Sequence, residues 1–153
     1  MADIKIKRYN PRKDKEALID LVCDFEYRSL YPIDVKKFEK EIDDRVKDLK
    51  LRNSIVLAKE DGNLVGAGFF TIWSDYLGND HCYVHNVVTR KEDSFKKGIE
   101  ELLLKELFKY LKKTMKVEKV GLWAKKRDSN FQSVLMKMGI KKNRDLEYYE
   151  HDL

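Results

Sequence analysis

The stretch best suited to chemistry reads YVHNVVTRKEDSFKKGIEELLL, residues 83–104. A strand pattern passes into a charged loop, and a helix pattern opens at Lys96-Lys97-Gly98. A helix start offers unpaired backbone N–H groups and the positive end of a dipole, and glycine lets a ligand approach the backbone closely. Lys91, Lys96 and Lys97 add positive charge at the same place. The combination suits an anionic group, a pyrophosphate in particular, although Glu92, Asp93 and Glu100 oppose it. On the same strand, His81 and His85 read His-x-x-x-His around Cys82. Four strand residues span about 13 Å, too far for two imidazoles to share one ion, and Cys82 points to the opposite face. A metal is therefore not expected. The sequence holds no Gly-x-Ser-x-Gly elbow, no Walker phosphate loop and no Cys-x-x-Cys pair.

The elements that must position these residues follow from periodicity. IKIKRY (4–9) alternates as a half-buried strand does. Asn10 and Pro11 read as the start of a helix carrying Ala17, Leu18, Leu21, Val22 and Phe25. Asp34 can cap a second helix with Val35, Phe38, Ile42, Val46 and Leu49 on one stripe. SIVLAKE (54–60) and LVGAGFFTIW (64–73) flank Asp61-Gly62, a strong hairpin signal, and HCYVHNVVT (81–89) follows as a third antiparallel strand. A long helix is predicted from about Phe95 to Leu111, then a strand at KVGLWAKK (119–126) buried on both sides. Asp128 or Ser129 opens a shorter helix through Met138 that Gly139 ends, and DLEYYEHDL closes as an edge strand. The order β-α-α-β-β-β-α-β-α-β implies an α+β fold: a mixed, mostly antiparallel sheet with helices on both faces.

Length and composition bound the rest. The chain has 153 residues, which argues for one domain spanning 1–153. Lys and Arg number 32 against 27 Asp and Glu, a net charge of +5, and acids and bases are interleaved, as in KKFEKEIDDRVKDLK (36–50). That pattern reads as a solvated, salt-bridged surface rather than a nucleic-acid track. Two distant cysteines, Cys23 and Cys82, give no disulfide framework and point to a cytoplasmic setting. Cys23 is expected to be a small buried hydrophobe on its helix. No apolar run is long enough for a membrane helix.

In element order, over essentially the whole chain, the sequence resembles the GNAT superfamily of acyl-coenzyme A N-acyltransferases. Members carry a cofactor loop of the form Arg/Gln-x-x-Gly-x-Gly/Ala after a strand resembling Val84-His85-Asn86-Val87-Val88-Thr89, followed by a Leu-Leu pair like Leu103-Leu104. A second family motif, Tyr-x-x-x-Gly-Phe, is echoed by Leu135-Met136-Lys137-Met138-Gly139-Ile140. Phe95 departs from the motif's Arg or Gln, Glu100 from its second small residue, and Leu135 from its Tyr.

The resemblance implies acetyl-CoA as co-substrate and direct transfer to an amine in a ternary complex, with splayed central strands admitting the thioester. It assigns the backbone of Val87, Val88 and Thr89 to the pantetheine arm and acyl carbonyl. It assigns the backbone of Phe95, Lys96, Lys97, Gly98, Ile99 and Glu100 to the pyrophosphate. Asp128 and Asn130, near the start of the later helix, either touch the pantetheine arm or cap the helix, and capping is favoured for them. His85 stands where relatives carry a Glu base, and an imidazole titrating near ~6.5 can serve as one. With Leu135 in place of the usual Tyr acid, Tyr148 and Tyr149 are the replacements available, and Tyr149 is taken as the acid. The acceptor pocket is expected from the first two helices and the turn at Trp73–Tyr76, where Asp75 and Asp80 would suit a cationic amine. The acceptor itself, a small molecule or a protein amine, stays open. A non-catalytic acyl-CoA or protein-binding module of the same fold is the alternative. Basic runs at Lys112-Lys113 and Lys125-Lys126-Arg127 lack interleaved aromatics, so nucleic acid is a poorer partner. The closing edge strand would allow a homodimer.

Overall fold

A computed structural model describes residues 3–24, 29, 31–90 and 98–153. Nine elements follow in order: β1 Ile4–Arg8, α1 Lys15–Val22, α2 Val35–Lys47, β2 Ile55–Glu60, β3 Asn63–Ser74, β4 Asp80–Thr89, α3 Ile99–Lys113, β5 Gly121–Leu122 and α4 Ser129–Lys137. The sheet order is β1-β2-β3-β4-β5, antiparallel throughout except that β4 and β5 run parallel. The α+β class, the antiparallel run of β2, β3 and β4 and the helices on both faces are as the sequence implied.

Alternation along the strands divides the interior in two. Val56, Ala58, Phe70, Cys82 and Val84 face α3, whose Ile99, Leu103, Leu104, Leu107 and Leu111 are all buried against them. Ile55, Leu57, Ala67 and Phe69 face the other way, toward Leu18 and Leu21 of α1 and Ile42 of α2. At ~1.5–3 kcal/mol for each large aliphatic side chain removed from water, the five α3 residues dominate the first layer. The helix sits unusually close to β3. A Cβ on Gly66 would lie 2.7 Å from Ile99 Cγ2, and one on Gly68 would lie 2.9 Å from Leu107 Cδ1, so a side chain at either would force its neighbour to shift.

Local signals held at several ends. Asp61 and Gly62 both take positive φ, 51° and 83°, in a two-residue hairpin turn. Helix α4 closes with Gly139 at φ 77°. There Ile140 N–H donates to the Leu135 carbonyl and Gly139 N–H to that of Met136, the paired bonds of a Schellman motif.

Other expectations are corrected. Helix α1 starts at Lys15 rather than beside Pro11. The Asn10 side chain accepts from Arg12 N–H, and the buried Asp14 carboxylate takes Asn10 N–H and the Lys59 ammonium, so residues 10–14 form a turn instead of a first helical turn. Cys23 is exposed, just past the end of α1. The strand predicted over 119–126 shrinks to two half-buried residues, and Trp123 beyond it is 55% exposed. The closing segment pairs with no strand, so the edge that suggested a homodimer is not a strand edge here. Four acids among its nine residues and a two-residue neighbour leave little to hold a ladder. The cofactor-loop residues Phe95, Lys96 and Lys97, like Lys91 to Ser94, lie outside the described residues.

Candidate active site

The site is built by an irregularity in β4. Gly66 pairs with Thr89 and Ala67 with Val88, but Phe69 pairs with His85. Two steps along β3 therefore match three along β4, so β4 carries one extra residue opposite Gly68. The extra residue flips the side-chain alternation. Val84 faces α3 and His85 faces α1 and α2, yet Val87 lies in the α3 layer and Val88 in the α1/α2 layer. Strict period-two reading would have put Val87 beside His85.

A second irregularity lies on the other edge of β4. Its parallel pairing with β5 consists of Tyr83 with Gly121 and Val84 with Leu122 and then stops. Among the described residues no strand covers the β5-side edge of residues 85–89. The two strands part at the extra residue. Val87, Val88 and Thr89, beyond that pairing, are buried residues.

Helix α3 begins directly beyond this gap. Gly98 is its N-cap in the left-handed region, φ 65°, where a side chain is strained, and open space lies around the position a Cβ would take. Ile99 and Glu100, both fully buried, form the first turn of α3, where an α-helix has N–H groups without intrahelical acceptors. Glu100, read from sequence as an acid beside the phosphates, is fully buried, and the Thr89 hydroxyl donates to its Oε1 at 3.0 Å. Its carboxylate ties the end of β4 to the start of α3.

On the opposite face of β4, His85 stacks on Phe69 at 6.2 Å and lies 2.6 Å, Nε2 to Oγ1, from Thr71. Beneath them lies Arg45, 5% exposed. Its Nη1 donates to the Phe70 carbonyl at 2.6 Å and Ser54 Oγ at 3.0 Å, its Nη2 to Thr71 Oγ1 at 2.6 Å, and its Nε to Glu41 at 3.0 Å. Burial lowers the guanidinium's proton affinity, with Glu41 working the other way. Sequence reading passed over Arg45 as one charge in a solvated run. Its position three residues after Ile42 and seven after Phe38, on the flank of the apolar stripe, is the signal that marked it.

A cleft of about 210 Å³ opens on this face between the end of α1 and the start of α2, lined by Val22, Ile33, Lys37, Phe38, Phe69 and Val88 among others. It borders His85 through Phe69. The first two helices thus border a cleft. The β3–β4 turn does not supply free acids. Asp75 accepts from Leu77 and Asn79 N–H and pairs with His81 Nε2 at 2.8 Å, and Ser74 donates to Asp80. Those carboxylates are engaged in shaping the turn. The His81 hydrogen bond, then that of Asn79 N–H, holds the Asp75 carboxyl below its usual range.

The remaining expected site residues separate. Asp128 caps α4, accepting from Phe131 N–H at 3.0 Å, and Asn130 is exposed on its first turn. Tyr149 is 83% exposed, with its hydroxyl donating to Glu147. Tyr148 instead joins a row of rings on the His85 face: Trp73 with Tyr83, Tyr83 with Trp123, and Trp123 with Tyr148. Cys82 lies across the sheet from both histidines, and burial pushes its thiol up to about 11.

A mixed sheet parted between a kinked β4 and a parallel β5, with a glycine-led helix start beside the gap, defines an acyltransferase-like architecture. The family model of the Acetyltransferase (GNAT) family matches residues 16–139, and the chain belongs to that family. Among solved structures it is similar to an aminoglycoside N-acetyltransferase in complex with CoA (TM-score 0.77, 11% identity, covering 100% of this chain and 97% of that one). It is also similar to ribosomal-protein-alanine N-acetyltransferase from Brucella melitensis (TM-score 0.71, 20% identity, 98% and 99% covered). Glucosamine-6-phosphate N-acetyltransferase from Arabidopsis thaliana gives a TM-score of 0.69 at 16% identity, 97% and 98% covered. At these identities the structures share the fold. No curated protein matches the chain by sequence.

Proposed function

We propose that this chain transfers an acetyl group from acetyl-CoA to a primary amine by direct attack in a ternary complex. The observation that carries the reading is the end of the β4–β5 pairing at Val84 and Leu122, with the α3 start at Gly98 following β4. An extended thioester arm can enter where two strands diverge, and a helix N-terminus suits its pyrophosphate. On this reading the backbone of Val87, Val88 and Thr89 lies along the arm and that of Gly98, Ile99 and Glu100 along the phosphates. Phe95, Lys96 and Lys97 complete the phosphate side on this reading, and Asn130 flanks the arm.

In the transfer the amine nitrogen bonds to the carbonyl carbon, the carbon–sulfur bond breaks, the nitrogen loses one proton and the thiolate gains one. The acceptor enters from the α1/α2 face, where the cleft and His85 lie. Tyr149 stays the proposed source of the thiol's proton. Supporting the reading are the family itself and a similar structure holding CoA. A cytoplasmic setting follows from the cysteine usage.

Calorimetric titration with acetyl-CoA, then thiol release over a panel of small and peptide amines, is the test. Saturable heat and release on at least one amine are expected. No heat overturns the co-substrate assignment, and binding without release on any amine favours the non-catalytic module.

A further inference from the structure

Resting on that reading, we infer that the acceptor is a linear polyamine, held along the row of rings from Trp73 to Tyr148 with an ammonium group at the Glu150 carboxylate. The row is continuous. Trp73 stacks on His81 at 4.5 Å and stands 6.5 Å from Tyr83. Tyr83 stands 6.1 Å from Trp123, and Trp123 meets Tyr148 edge-on at 6.2 Å. A Cβ on Gly121 would lie 2.8 Å from Tyr83 Cδ1 and Cε1, so the missing side chain lets that ring lean over β5 toward Trp123.

Trp73 is 45% exposed, Trp123 55% and Tyr148 66%. Large aromatic side chains left in water along one line mark a binding surface. Trp123 follows Leu122, where the pairing of β5 with β4 stops, so the row passes the place where the thioester arm enters on the proposed reading.

The charges at its ends are acidic. Beyond Tyr148, the hydroxyls of Tyr31 at 2.6 Å and Tyr148 at 2.8 Å both donate to Glu150 Oε1. Those bonds, that of Tyr31 first, hold the Glu150 carboxyl below its usual range, so it is ionised at neutral pH. Beyond Trp73 lie Asp75 and Asp80, engaged with His81 and Ser74. An amine chain suits this surface better than a peptide does. Aromatic rings attract ammonium groups and pack on methylenes. They offer no partners to a peptide's amides, and the backbone groups of paired strands are engaged by their neighbours. Ammonium groups three or four methylenes apart lie about 5–6 Å apart in an extended chain, close to the 6.1–6.5 Å between successive rings from Trp73 to Tyr148.

Both tryptophans of the chain stand in the row, so their emission reports occupancy without turnover. The full chain, without acetyl-CoA, is titrated with a linear triamine having three- and four-methylene spacers, against sodium chloride of matched ionic strength. A saturable change in emission with a midpoint below about 1 mM is expected. Trp123→Ala should raise the midpoint about tenfold, Trp123→Phe should keep it within about threefold, and Glu150→Gln should raise it about threefold or more. No saturable change up to about 10 mM, or one that salt reproduces, overturns the polyamine assignment. Saturation by a lysine-rich peptide and not by the triamine overturns it equally. In turnover with acetyl-CoA, kcat/KM for the triamine is expected to exceed that for a monoamine of equal length about tenfold or more. Equal values overturn the acceptor role. If acetyl-CoA neither binds nor reacts, the acceptor role falls with the transferase reading, while the emission still decides whether the row binds a polyamine.

Discussion

On the α3 face of the sheet, aliphatic side chains meet aliphatic side chains, and two glycines of β3 let the helix settle against the strand. On the α1/α2 face the same strands carry Thr71, Trp73, Tyr83 and His85 over a buried arginine, with a cleft left open above Phe69 and Val88. The contrast teaches how one sheet is held and used at once. The extra residue in β4 moves Val87 to one layer and Val88 to the other, so both layers stay filled. Aliphatic packing is concentrated on the α3 face. Polar groups are concentrated on the α1/α2 face.

If that division is real, substitutions on the two faces should separate stability from activity. The largest loss of stability is expected from Leu107→Ala, about 2–5 kcal/mol by denaturant unfolding. A cost under about 1 kcal/mol would mean the α3 layer is loosely packed. Gly66→Ala comes next, about 1–3 kcal/mol, because its Cβ would meet both Ile99 and the Val88 carbonyl oxygen, and a backbone oxygen yields less than a side chain. Arg45→Met, on the other face, should cost about 1–3 kcal/mol through polar partners left unbonded. Its turnover should fall further than that stability loss explains, and a variant as active as wild type would detach Arg45 from the site.

Gly98→Val is expected to cost about 1–2 kcal/mol from left-handed backbone strain and to weaken acetyl-CoA binding measured by calorimetry. Unchanged affinity would move the phosphate site elsewhere. The smallest effect concerns Asp75. Its depressed carboxyl stabilises the fold above the unfolded value of about 3.9, and that contribution is lost as pH falls through the lower folded value. Asp75→Asn should therefore flatten the acid limb of stability below about pH 4. An unchanged limb would show that the pairing with His81 does not contribute.

Much of this division could be read from the chain. Alternation located β1, apolar runs located β2 to β4, Asp61-Gly62 fixed the hairpin, and Asp128 and Gly139 bounded α4, because each of those signals is local. What escaped was non-local. An extra residue in β4 is visible only in its pairing with β3, and nothing in HNVV distinguishes it from regular alternation. Arg45 looked like surface because these partners, Ser54 just before β2 and Phe70 and Thr71 on β3, lie 9 to 26 residues away in sequence. The closing segment was expected as an edge strand, but a strand also needs a neighbour, and β5 has only two residues.

On the proposed reading, acetyl-CoA lies along the end of β4 with its phosphates at the start of α3. Backbone amide shifts recorded through an acetyl-CoA titration test it most directly. Saturable perturbations concentrated at Val87, Val88, Thr89, Gly98, Ile99 and Glu100 are the expected result. Saturable shifts confined to other parts of the chain, or none at millimolar acetyl-CoA, would contradict it.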